Sequence, residues 1–154
     1  MIRPTIISLL LTLASFTLAS EPFHIYSPSR HTQSLQIVQA EPSADGAKVQ
    51  LTALDPVPLG FTPVCIVAHP SKPRLYVAPA RAEKDGTVAG ALIELDENGH
   101  YQSHKPVSFH HGYCYLSLDQ TQKFLFGVSY GGGQVDAYRL NPDGTLGERT
   151  AALD

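Results

Sequence analysis

The chain has 154 residues, with 11 basic and 14 acidic side chains and a formal charge of −3, and it contains no basic run long enough to track a phosphate backbone. Nucleic acid is therefore not expected as a partner. Its two cysteines lack C-x-x-C spacing and indicate neither a disulfide framework nor a zinc site, and no cofactor or metal motif is present.

At the N-terminus Arg3 precedes an apolar run from Ile6 to Leu18, with small residues at Thr17, Ala19 and Ser20. This layout predicts a secretory signal peptide over residues 1–20, cut near Ala19 or Ser20, and an exported product in the periplasm or the extracellular medium. The apolar run falls short of the roughly 20 residues that span a bilayer, so no stable membrane span is expected after cleavage. Residues 21–154 are of a size for one domain with one core.

Beyond residue 20 helical periodicity is nearly absent, and short β-rich runs recur between turn signals. They are Phe23 to Tyr26, Leu35 to Val38, Val49 to Leu54, Val64 to Ala68, Leu75 to Ala78, Ala91 to Leu95, Tyr113 to Leu118, Phe124 to Ser129 and Val135 to Leu140. The pairs Asp45-Gly46, Asp85-Gly86, Asn98-Gly99 and Asp143-Gly144 accept positive φ and suit tight hairpins. An all-β fold is expected.

The chain also repeats itself. Pro63-Val64-Cys65-Ile66-Val67-Ala68-His69-Pro70 with Arg74-Leu75-Tyr76-Val77 lies over Tyr113-Cys114-Tyr115-Leu116-Ser117-Leu118-Asp119-Gln120 with Phe124-Leu125-Phe126-Gly127 at an offset of 50. The following strand and turn, Ala91 to Leu95 with Asn98-Gly99, match Val135 to Leu140 with Asp143-Gly144 at an offset of 45, the difference falling in the loop around Arg81 to Gly90. Leu35 to Ala40 with Asp45-Gly46 is an earlier copy of that second half. A period near 50 with several short strands predicts β-propeller blades, although a β-sandwich also gives evenly spaced strands. Propellers close with about four to eight blades, and this chain has room for two to three. The expectation is a partial gene product in preference to an oligomeric ring, with open strand edges prone to aggregation. Cys65 and Cys114 sit one residue out of phase in the repeat and are expected to point to opposite faces, unpaired.

The residues Thr62 to Ser71 with Arg74-Leu75-Tyr76-Val77, and Gly112 to Asp119 with Lys123 to Phe126 and Ser129-Tyr130-Gly131-Gly132-Gly133-Gln134-Val135, resemble two successive blades of the lactonase-type seven-bladed propellers, a group that includes 6-phosphogluconolactonase and the muconate-lactonising cyclases. The resemblance runs from about Phe23 to Leu146 and corresponds to the N-terminal third or so of a complete member. It implies action on a sugar lactone or related cyclic ester, by hydrolysis or by ring closure. It also implies a small-molecule, sugar-derived partner. Several positions depart from the family wording. Tyr113 replaces a proline, Tyr115 stands where a histidine is usual, Ser129 replaces an asparagine, and Ala80 occupies a place often held by glutamate. By the same resemblance, the principal acid/base and arginine positions belong to blades beyond Asp154, so this chain alone is expected to be inactive. A propeller without catalysis, used as a binding scaffold, is the alternative from a different class.

Three residues are candidates for substrate binding: His110, His111 and Tyr130. The histidines stand next to Gly112, both before it, at a blade-to-blade connection, and imidazole titrates near neutral pH. No carboxylate lies near them at a telling spacing, so the plainer reading is a solvated loop pair. Tyr130 opens Gly131-Gly132-Gly133, which lacks the lysine and helix of a phosphate loop and reads as a glycine-rich hairpin. His69 and Asp119 align in the repeat and are expected to shape turns. No nucleophile elbow is present, and the catalytic residues are not assigned.

Overall fold

The computed structural model describes residues 21–81 and 88–153. The expected signal peptide and the Asp85-Gly86 turn lie outside the described residues. Twelve strands follow one another with no helix among the described residues: β1 (Phe23–Ser29), β2 (Ser34–Pro42), β3 (Val49–Ala53), β4 (Val57–Pro58), β5 (Pro63–Ala68), β6 (Arg74–Pro79), β7 (Ala89–Leu95), β8 (Tyr101–Ser108), β9 (Tyr115–Leu118), β10 (Phe124–Ser129), β11 (Gln134–Leu140) and β12 (Leu146–Leu153). Hence no described helix is long and apolar enough to cross a membrane.

The strands make three successive antiparallel sheets, each built from neighbours in the chain. Each has four strands: β1 to β4, then β5-β6-β7-β8, then β9-β10-β11-β12. In the first, β3 and β4 lie on the same side of β2, pairing with Val38–Pro42 and Ser34–Leu35 respectively, and so form one interrupted outer strand. The interruption contains Pro56, which has no N–H to give a ladder. This is the blade-after-blade arrangement of a propeller, and it removes the sandwich alternative.

Period-2 alternation explains how the sheets stack. In β6, Leu75 and Val77 join Ala91 and Ile93 of β7 against Leu35 and Ile37 of β2. The intervening Tyr76, Ala78 and Leu92 face the other way, against Leu116, Leu125, Tyr138 and Leu140 of the third sheet. The middle sheet is therefore covered on both faces, so β6 and β7 read as continuous apolar runs while the flanking strands alternate. Each large apolar side chain buried this way contributes about 1.5–3 kcal/mol. Tyr76 also donates its hydroxyl to the carbonyl of Gly144 at 2.6 Å, tying the second blade to the third.

The first hairpin repeats the third blade's inner hairpin at an offset of 100. Ser29 to Ser34 turns as Ser129 to Gln134 does, with Gln33 at φ 49° where Gly133 has 73°. β1 thus corresponds to β10, and the first sheet has no described counterpart of β5 or β9 beside it.

Every expected strand is present. The structure adds β4, β8 and β12, which occupy the outer sides of the blades. The side chains of β8 and β12 are largely exposed, so no apolar alternation marked them in the sequence, and β4 has only two residues. The Gly46, Gly99 and Gly144 turns have positive φ as expected. His69 and Asp119 are turn residues, the one accepting the Ser71 N–H and the other the Thr121 N–H. Cys65 and Cys114 are free thiols. Their sulfurs approach the carbonyls of Tyr113 and Val128, each at 3.3 Å.

Candidate functional site

The segment 109–114, which carries the chain from the second blade into the third, is pinned by its backbone. Phe109 N–H reaches the Val88 carbonyl, Tyr113 N–H the Pro79 carbonyl, and Cys114 N–H the Val128 carbonyl. A Cβ on Gly112 would lie 2.4 Å from the backbone of Ala80 and Arg81, so glycine is required for this close approach. The result places His110 and His111 at the same end of the third blade as the β10–β11 hairpin.

Asp136, second after that hairpin's first strand residue Gln134, shares a strand face with Tyr138 and Leu140, and it is fully buried. A carboxylate there must be bonded and paired. Its Oδ2 accepts from the Tyr113 hydroxyl and lies 2.8 Å from His111 Nδ1. Its Oδ1 accepts the Arg149 Nε–H at 2.7 Å. Because Tyr113 donates its only proton to Asp136, the 2.7 Å contact between the two tyrosines has Tyr138 as donor. Tyr138 in turn accepts the His110 N–H at 2.7 Å. Phe109 closes the apolar side, its ring edge-on to both tyrosines.

Burial pushes the Asp136 carboxyl up, but the bonds from Tyr113, His111 and Arg149 outweigh it, and the group is held below the ordinary carboxylate range. Burial, then the bond to Asp136, pushes Tyr113 far above the ordinary phenol range. The site thus holds a neutral tyrosine pair, an aspartate–arginine ion pair, and an imidazole oriented by the aspartate. His111 is one third exposed. With Nδ1–H given to Asp136, the neutral ring keeps its lone pair on Nε2, which is the acceptor a general base needs.

Of the expected site residues, His110 and His111 come together here. His110 is exposed and contributes mainly its backbone, its ring Nδ1 standing 3.5 Å from the Tyr138 hydroxyl. Tyr130 is not part of the cluster: it sits at the hairpin tip, 90% exposed, in the glycine-rich hairpin expected for it. The reading that no carboxylate accompanies the histidines is corrected by the fold, since Asp136 is 25 positions away in sequence and in contact in space. Tyr113, Tyr138 and Arg149 were likewise missed. One signal was available: Asp136 occupies the buried phase of an apolar strand, where an unpartnered charge does not persist. No group of three or more metal-binding side chains is present among the described residues.

Comparison with known proteins fits this architecture. Residues 24–154 match the family model described as lactonase, 7-bladed beta-propeller. A 6-phosphogluconolactonase from Pectobacterium carotovorum subsp. carotovorum (strain PC1) is 29% identical over 130 residues, which cover 84% of this chain and 36% of that protein. An uncharacterized protein of Lactococcus lactis subsp. cremoris (strain MG1363) is also 29% identical, over 104 residues that cover 66% of this chain and 29% of that protein. The chain spans about a third of the length of the curated relatives it matches. With three consecutive blades and a family match over nearly all of the described residues, the chain belongs to the lactonase family of seven-bladed β-propellers.

Proposed function

We propose that this chain supplies blades to an exported lactone hydrolase acting on an unphosphorylated sugar lactone, and that His111 is the base these blades contribute. The observation that carries the reading is the His111–Asp136 pair, a partly exposed imidazole oriented by a buried carboxylate. His111 Nε2 takes a proton from water as the water oxygen bonds to the lactone carbonyl carbon. The tetrahedral intermediate then expels the ring oxygen, which takes the proton from Nε2 and leaves a hydroxy acid. Arg149 is committed to Asp136, so the positive partner for the oxyanion has to come from other blades of a complete propeller. The family match and the similarity to a 6-phosphogluconolactonase support a lactonase-like reaction. The N-terminal sequence supports export, and phosphorylated sugar lactones arise in the cytosol, which favours the unphosphorylated substrate.

The test is lactone hydrolysis by the full-length gene product with a sugar lactone and its phosphorylated form. His111→Gln is expected to lower kcat about 10²-fold with little change in KM. Asp136→Asn is expected to shift the pH profile as well as lower kcat, as befits a positioning residue. An unchanged kcat in His111→Gln refutes the role. Recovery of a mature protein starting near Glu21 from the periplasm or medium tests export.

One observation favours a second reading, a non-catalytic binding scaffold. Asp136 is already neutralised by Arg149 and bonded to Tyr113, which is what a purely structural junction between strands requires. Saturable binding of a sugar lactone without turnover would select it.

A further inference from the structure

At the end of the blades opposite His111, three turns converge on a cleft of about 480 Å³. They are the β5–β6 turn with His69 and Lys72, the β9–β10 turn with Thr121 to Lys123, and the end of β11 with Arg139. Three cations line it and no carboxylate does. None of Lys72, Lys123 and Arg139 is in an ion pair among the described residues, although the chain as a whole is acidic.

The nearby carboxylates are engaged elsewhere. Asp119 accepts the N–H groups of Thr121, Lys123 and Phe124 within its own turn. Asp143 is bonded to Thr145, and Glu94 pairs with Arg74. The turns are also fixed to one another. Ser71 Oγ donates to Gln122 Oε1 at 2.5 Å, and Lys72 Nζ donates to the Pro142 carbonyl at 3.0 Å, so both bonds bridge the second and third blades. The Arg139 guanidinium carbon lies over the Phe124 ring, 5.5 Å from its centroid, and no carboxylate among the described residues pairs with its N–H groups. With its oxygen given to Ser71, Gln122 presents its amide NH₂ as a donor. His69, neutral through burial and then through Lys72 and Arg74, accepts the Ser71 N–H at Nδ1, so its proton is on Nε2.

We infer that this cleft is an anion site that binds a phosphate group, with Lys123 and Arg139 as its principal charges and Lys72 and Gln122 completing it. A planar guanidinium next to two ammonium groups, with neutral donors around them, suits a compact, multiply charged oxyanion. The site is separate from the His111–Asp136 cluster, since β10 and β11 run their length between the two.

The test follows the thermal unfolding of the full chain by circular dichroism during titration with inorganic phosphate, and separately with glucose 6-phosphate, at ionic strength held constant with chloride. Both free phosphate and a phosphate ester have the required group, and the ligand that saturates at lower concentration identifies the source. The Lys123→Gln, Arg139→Gln double variant, whose exposed side chains make no side-chain hydrogen bond among the described residues, is expected to weaken binding at least tenfold, its melting without phosphate differing from the parent's only by the lost Arg139–Phe124 contact. Arg30→Gln, on the hairpin at the other end, is expected to bind like the parent. The proposal is overturned if the double variant is stabilised as much as the parent, or if chloride alone reproduces the stabilisation.

Discussion

Replacing Asp136 by alanine removes the acceptor on which Tyr113, His111 and Arg149 converge. Tyr113 is fully buried, and without Asp136 the two tyrosine hydroxyls have to re-orient, with His110 Nδ1, 3.5 Å from Tyr138, as the one poor acceptor left among the described residues for the second proton. Leaving a buried hydroxyl unsatisfied costs about 1–3 kcal/mol. Breaking a closed buried ion pair costs about 3–5 kcal/mol, but the Arg149 side chain is 23% exposed and rehydrates in part, as does His111. Together these give a loss of about 3–4 kcal/mol, with the emptied volume as the smaller contribution. With a urea slope of about 2 kcal/mol/M, the unfolding midpoint falls by about 1.5–2 M. The assay is equilibrium urea unfolding of the full chain followed by circular dichroism. Tyr113→Phe is the companion variant, and the pair forms a cycle with a coupling of about 1 kcal/mol or more. A midpoint shift below about 0.5 M, or strictly additive variants, refutes the view that this network holds the third blade to the segment before it.

Gly127→Ala places a Cβ 2.8 Å from the buried Tyr113 ring, and a loss of about 2 kcal/mol or more is expected in the same urea assay. The thiols differ in reactivity: burial, then the neighbouring Cys114, pushes Cys65 up to about 12, whereas Cys114 is exposed. A disulfide reagent at neutral pH is therefore expected to modify one thiol quickly and the second only on unfolding, with peptide mapping placing the first adduct on Cys114. Stability is expected to fall in acid. Asp119 is held at about 2, chiefly by the Thr121 hydroxyl, and Asp136 is also held low, so both carboxylates favour the folded state above the unfolded value of about 4. That contribution is lost as pH falls towards 2, and Asp119→Asn flattens this limb of the stability curve; an unchanged limb contradicts the assignment.

The repeat of about 50 residues, the turn pairs and the alternating runs determine most of the fold in the sequence itself, because a blade is a local object. Its strands are neighbours in the chain, and their pairing follows from short hairpins with glycine, or glutamine at Gln33 and Gln122, at the positive-φ positions. The outer strands β8 and β12 escaped because an exposed edge imposes no apolar rhythm. The turn roles of His69 and Asp119 were legible by the same logic, since each side chain bonds an N–H two positions ahead. The clusters were not. His111 meets Asp136, and Lys72 meets Lys123 and Arg139, only when one blade stacks on the next or a strand returns beside a connection. Pairing across such distances is set by how sheets pack, which no local spacing records. Asp136 is the instructive case: it falls in the buried phase of its strand, a signal the reading of the sequence did not use, and only the tertiary structure supplied the partners that make its burial possible.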